Sequence, residues 1–114
     1  RDSALHLAGW ALNLSRQLKE RGNQAWALRL LGEVHQHPDA PDPEQAEAAY
    51  REALALVEEL GMRPLAARCH LGLGTLYRRI ERSAQARAEL SIAVDLMRSM
   101  DMTHWLPRAE AELA

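Results

Sequence analysis

The chain repeats itself at an interval of about 40 residues, and this restricts the folds open to it more than any other feature. Ala46, Tyr50 and Ala53 recur as Ala86, Leu90 and Ala93, each 40 residues further on. Leu60-Gly61-Met62 recurs as Met100-Asp101-Met102, and Leu73-Gly74 as Leu113-Ala114, at the same interval. Leu31-Gly32 and Leu73-Gly74 lie 42 residues apart. Several landmarks sharing a period imply one supersecondary unit copied along the chain. A unit of this length cannot bury its apolar face alone, so each copy leans on the next.

The punctuation between landmarks is helical. A first segment is expected from about Ser3 to Arg21, stopped by Gly22, and a second from Gln24 to His35, capped by Asn23. The loop from His37 to Pro43 holds three prolines and cannot continue a helix. Asp42-Pro43-Glu44 then reads as a restart, with a capping carboxylate, proline in the first turn and an acid beside it. That third segment runs to Leu60 and stops at Gly61. Pro64 opens a fourth that reaches about Ile80; Ser83 caps a fifth ending near Ser99; Thr103 caps a sixth with Pro107 in its first turn. No window alternates β-branched residues with period two. The class is all-α, with about six helices.

Each unit follows one logic. His70-x-x-Leu73-Gly74-x-x-Tyr77 and Leu28-x-x-Leu31-Gly32-x-x-His35 place a residue without Cβ where a partner helix can approach the backbone. The following helix carries small, large and small residues at spacings of four and three, which share one helical face. At these residues the chain resembles the tetratricopeptide-repeat (TPR) family, whose first helix reads W-x2-L-G-x2-Y. His70 and Leu28 stand where that pattern has Trp, and His35 where it has Tyr. The resemblance implies a right-handed α-solenoid of antiparallel helix pairs. Residues 1–114 then form a single TPR-like domain: 1–21 the second helix of a partial repeat, 25–60 and 67–100 two repeats, 103–114 the first helix of another. The segments 25–32, 59–65 and 70–77 also resemble C-terminal tails of bacterial adenylate/guanylate cyclases and LuxR-type ATPase regulators.

By that resemblance, the first helix of each pair lines a concave groove that takes a peptide or helix of a partner protein. Repeat register assigns Trp26, Arg29, Glu33 and Gln36 to that groove, then Arg68, Leu71, Thr75 and Arg78 at a constant offset of 42, then Arg108 and Ala111. One aromatic anchor and several arginines suit an acidic or carboxylate-ended segment. The Lys/Asn carboxylate clamp of chaperone-binding TPR domains is not reproduced, since Glu33 stands where an amide is needed.

Other chemistry finds little support. His35, His37, Asp39 and Asp42 have metal-ligand residue types, but i,i+2 histidines share no helix face and a solvated turn explains them. Cys69 lies between Arg68 and His70, but neighbours on a helix diverge, and a buried thiol is expected. Gly72-x-Gly74 sits inside a helix with no strand before it, so it is no phosphate loop. No nucleophile–base pair is evident, so no enzyme, cofactor or metal is expected. A net charge of -2 offers no field for nucleic acid or an anionic membrane. No apolar run reaches membrane-spanning length, and one cysteine fits a reducing, cytoplasmic setting. With no initiator Met, the chain is expected to belong to a larger bacterial signalling or regulatory protein. The alternative role is a structural segment that self-associates through apolar faces at its ends: Leu5, Trp10 and Leu12, or Trp105, Leu106 and Leu113.

Overall fold

A computed structural model describes residues 2–38 and 41–114, with the side chain of residue 2 excepted. The described residues form six helices and no strand: α1 (Asp2–Gln17), α2 (Arg21–Gln36), α3 (Pro43–Leu60), α4 (Arg63–Arg79), α5 (Ser83–Ser99) and α6 (Leu106–Leu113). They divide into two compact units, Arg1–Gly61 and Met62–Ala114.

In the first unit α1 packs on α2, and α2 packs more extensively on α3. The small-large-small set of α3 faces inward: Ala46, Tyr50 and Ala53 are all buried. Tyr50 lies directly over Gly32 of α2, where a Cβ would come within 2.8 Å of its ring. Only a glycine leaves space for the tyrosine there. In the second unit α4 packs on α5, and α5 on α6. Ala86, Leu90 and Ala93 are buried likewise, and a Cβ at Gly74 would fall 2.5 Å from Leu90 Cγ. Ala67, Leu71, Leu90, Ala93, Val94, Met97 and Ala109 form the centre of this unit. The same glycine-under-large contact thus holds α2 to α3 and α4 to α5.

A second shared contact was hidden from the sequence. Arg21 and Arg63 each begin the first helix of a pair and reach the last turn of the second. Arg21 donates two hydrogen bonds to Glu59, at 2.7 and 2.5 Å, and Arg63 donates to Ser99 Oγ at 3.0 Å. First helices repeat at 42 residues and second helices at 40 because the loop before α3, with its prolines, is longer than the turn before α5.

The turns correct several expected boundaries. Asp42 caps α3 as expected, accepting from the Gln45 backbone N–H at 3.3 Å, and Gly61 ends it at φ 70°. Gly22, however, lies in the first turn of α2 and Asn23 within that helix. The stop comes earlier, at Lys19, whose φ is 57°, with the Glu20 N–H bonded to the Ser15 carbonyl at 2.8 Å. Glu81 (φ 63°) and Asp101 (φ 52°) end α4 and α5 in the same way, through bonds from Arg82 to Tyr77 and from Met102 to Met97. This 6→1 bond around a left-handed residue satisfies carbonyls that a helix end leaves open. Gly61, Glu81 and Asp101 fall every 20 residues, which sets the rhythm of the helices. Because the chain turns at these residues, Ser83 is the first residue of α5 and not its cap, and Thr103 precedes α6 by a turn.

Candidate functional site

In the first unit, α2 carries the expected stripe of Trp26, Arg29, Glu33 and Gln36. Trp26 and Glu33 are exposed, whereas Arg29 and Gln36 are buried. The Arg29 guanidinium lies 5.4 Å from the Trp26 ring centroid and donates to Glu33 one turn on. Its Nε is buried with no hydrogen-bond partner. Gln36 donates to the Tyr50 hydroxyl at 3.2 Å, so it serves the α2–α3 contact. Beside this stripe, α1 and α2 enclose a groove of about 380 Å³ lined by Trp10, Leu14, Trp26, Arg29 and Leu30 among others.

In the second unit, the stripe on α4 divides. Leu71 belongs to the apolar centre, and Thr75 is buried with its hydroxyl unpartnered. Arg68 stacks on Trp105, its guanidinium carbon 4.3 Å from the ring centroid, which ties α4 to the segment leading into α6. Arg78 is exposed and donates to the Glu112 carbonyl at 2.8 Å and carboxylate at 3.1 Å. Arg108 is exposed on α6, as is its neighbour Ala111. Arg68 and Arg78 of α4 and Arg108 of α6 therefore lie in one unit.

Sequence reasoning missed the polar pair between α4 and α5. His70 Nδ1 and Glu89 Oε1 are 2.6 Å apart, with about a tenth of each side chain exposed. In the first unit the corresponding positions are Leu28 and Ala49, both buried. Comparison within the repeat thus carried a signal: two polar residues replace two apolar ones at positions that face each other. The exposed Glu59 carboxyl has its pKa lowered from the ordinary carboxylate value by the hydrogen bonds from Arg21 and, secondarily, by the Arg21 charge.

Of the two expected apolar end surfaces, the first is corrected at Leu12 alone and the second throughout. Leu12 is buried in the first unit, and Trp105, Leu106 and Leu113 pack against the centre of the second. Leu5, Trp105, Leu106 and Leu113 are half-buried, so only Trp10 of that set stands strongly exposed, at 62%. Cys69 is fully buried. Among the described residues, no three His, Cys, Asp or Glu side chains gather as a metal site, and no helix is long and apolar enough to cross a membrane. The expected role of Asp39 lies outside the described residues. No family model matches the chain, and a search of curated proteins finds no match.

Proposed function

We propose that this chain is a TPR-like interaction scaffold, a right-handed solenoid of antiparallel helix pairs that binds a peptide or helix of another protein and performs no chemistry. The observation that carries this reading is the duplicated contact of Gly32 under Tyr50 and Gly74 under Leu90. A chain that spends its apolar residues on copies of one helix pair builds a surface by repetition. The chain belongs, in this reading, to a larger bacterial signalling protein of the cytoplasm.

The partner is an acidic segment. Arg68, Arg78 and Arg108 supply positive charge in the second unit, and Arg78 already holds the carboxylate and carbonyl of Glu112. In this reading a partner's carboxylate takes the place of Glu112 beside Arg78. In the first unit, the exposed Trp26 offers an aromatic anchor backed by the buried Arg29 guanidinium.

Titration of acidic peptides against the wild type and an Arg68→Ala/Arg78→Ala variant tests this. The wild type is expected to bind at least about tenfold more tightly, which corresponds to about 1.4 kcal/mol. Equal affinity, with unchanged circular dichroism, ends the proposal.

A further inference from the structure

The apolar surface of α1 is wider than the helix it packs on requires. Ala8, Leu12 and Ser15 are buried on one side of it. On another side Leu7, Trp10 and Leu14, continued by Leu18 in the turn just past the helix end, form a stripe, with Leu7, Trp10 and Leu18 each about 60% exposed and Leu14 37%. Spacings of three and four residues keep the stripe on one face. Trp26 of α2, 42% exposed, adjoins it across the groove that Trp10 and Leu14 also line.

Three observations point to a second copy of this chain as what covers the stripe. First, its size fits: these five side chains leave on the order of 500 Å² of apolar surface, near the apolar share of a standard interface of about 800 Å² per partner. Second, its charge fits self-contact. Between His6 and Arg16 the helix carries no ionisable side chain, and Arg16 is directed to Glu52 of α3 at 3.1 Å. The middle of two α1 helices can therefore meet without bringing like charges together, while Glu20 and Arg29, which line the groove, are of opposite sign. Third, its pattern is self-complementary. When two α1 helices run antiparallel about an axis near residue 12, Leu7 meets the partner's Leu18 and Trp10 meets the partner's Leu14. The groove beside Trp10 then receives an apolar side chain from the other copy, as an isologous contact requires.

We propose that the α1 stripe with Trp26 is a two-fold interface between copies of the chain, the α1 helices antiparallel. Apart from Trp26 this surface shares no residue with the peptide-binding reading, so it stands whether or not the arginines of α4 and α6 bind a peptide.

Sedimentation equilibrium over a range of concentrations tests it with four proteins. The wild type and an Ile92→Glu variant, altered at an exposed position on α5, are expected to be dimers. Leu7→Glu/Leu18→Glu sets acid against acid and is expected to be monomeric, its dissociation constant raised by more than about a hundredfold. Both positions are about 60% exposed, so its circular dichroism should match the wild type. Leu7→Glu/Leu18→Lys sets acid against base in the antiparallel arrangement alone and is expected to recover dimerisation relative to the double acid. A wild type still monomeric at about 100 µM assigns the stripe to a different partner and overturns the proposal. So does a double acid that still dimerises, or an acid–base variant no better than the double acid.

Discussion

Gly74→Ala isolates the contact on which the helix pairs are built. The added Cβ would stand 2.5 and 2.6 Å from Leu90 Cγ and Cδ2 and 3.3 Å from the Leu90 backbone nitrogen. Carbon atoms in good contact are about 3.5–4.0 Å apart, so α4 and α5 must separate or Leu90 must leave its rotamer. Leu90 is 2% exposed and sits in the apolar centre, so it has little room to turn. Overpacking of this kind costs about 1–3 kcal/mol, while alanine gains about 1 kcal/mol over glycine in a helix interior. The net expectation is a loss of up to about 2 kcal/mol. Gly9→Ala supplies the reference, because Gly9 lies within α1 and a Cβ there meets nothing within 4 Å. That variant should be about 1 kcal/mol more stable than wild type. Urea unfolding followed by circular dichroism measures both. In a Leu90→Ala background the close carbons are gone, and Gly74→Ala should become stabilising. If Gly74→Ala stabilises the wild type as much as Gly9→Ala does, the argument for a glycine-dependent helix contact is refuted.

Three further outcomes are expected. Glu81→Gly should raise stability by about 1 kcal/mol, because an L-residue in the left-handed region costs about that much and glycine does not; a higher urea midpoint at unchanged slope would report it. Glu89→Ala should cost about 2 kcal/mol by removing the partner of a largely buried His70, whereas Glu52→Ala, which breaks the exposed pair with Arg16, should cost less than about 1 kcal/mol. Glu59→Gln should matter only where the carboxyl is ionised. The folded state lowers the Glu59 pKa, so the pair with Arg21 contributes above the unfolded carboxylate pKa and the contribution fades as pH falls through the lower folded value. Urea midpoints of the variant and wild type should therefore converge at acid pH and at high salt, and a difference that persists in acid would show another cause.

The packing was legible in the sequence where it obeyed the repeat. Ala46, Tyr50, Ala53 and their counterparts at 86, 90 and 93 are the buried faces, and Gly32 and Gly74 are the close approaches, because spacing alone fixes which helical face a residue occupies. Asp42 and Gly61 were legible because capping and left-handed turns favour those residue types. Lys19, Glu81 and Asp101 turn the chain without glycine, so composition did not mark them, and Gly22 and Asn23 drew the first boundary too late. The candidate site was less legible than the fold. Periodicity places Arg29 with Glu33 on one helix face and Arg68 with Arg78 on another, but Trp105 and Glu112, which engage Arg68 and Arg78 from other segments, are not fixed by it. Leu7, Leu14 and Leu18 read as ordinary apolar helix positions, and only the placement of α2 shows which side of α1 it leaves open.

Proton–proton contacts measured by nuclear Overhauser spectroscopy test the central claim most directly. If both helix pairs are copies of one unit, the Gly32 α-protons will show strong cross-peaks to the Tyr50 ring and the Gly74 α-protons to the Leu90 methyls. Cross-peaks in one pair and none in the other would contradict the copied unit, and with it the reading of the chain as a scaffold made by repetition.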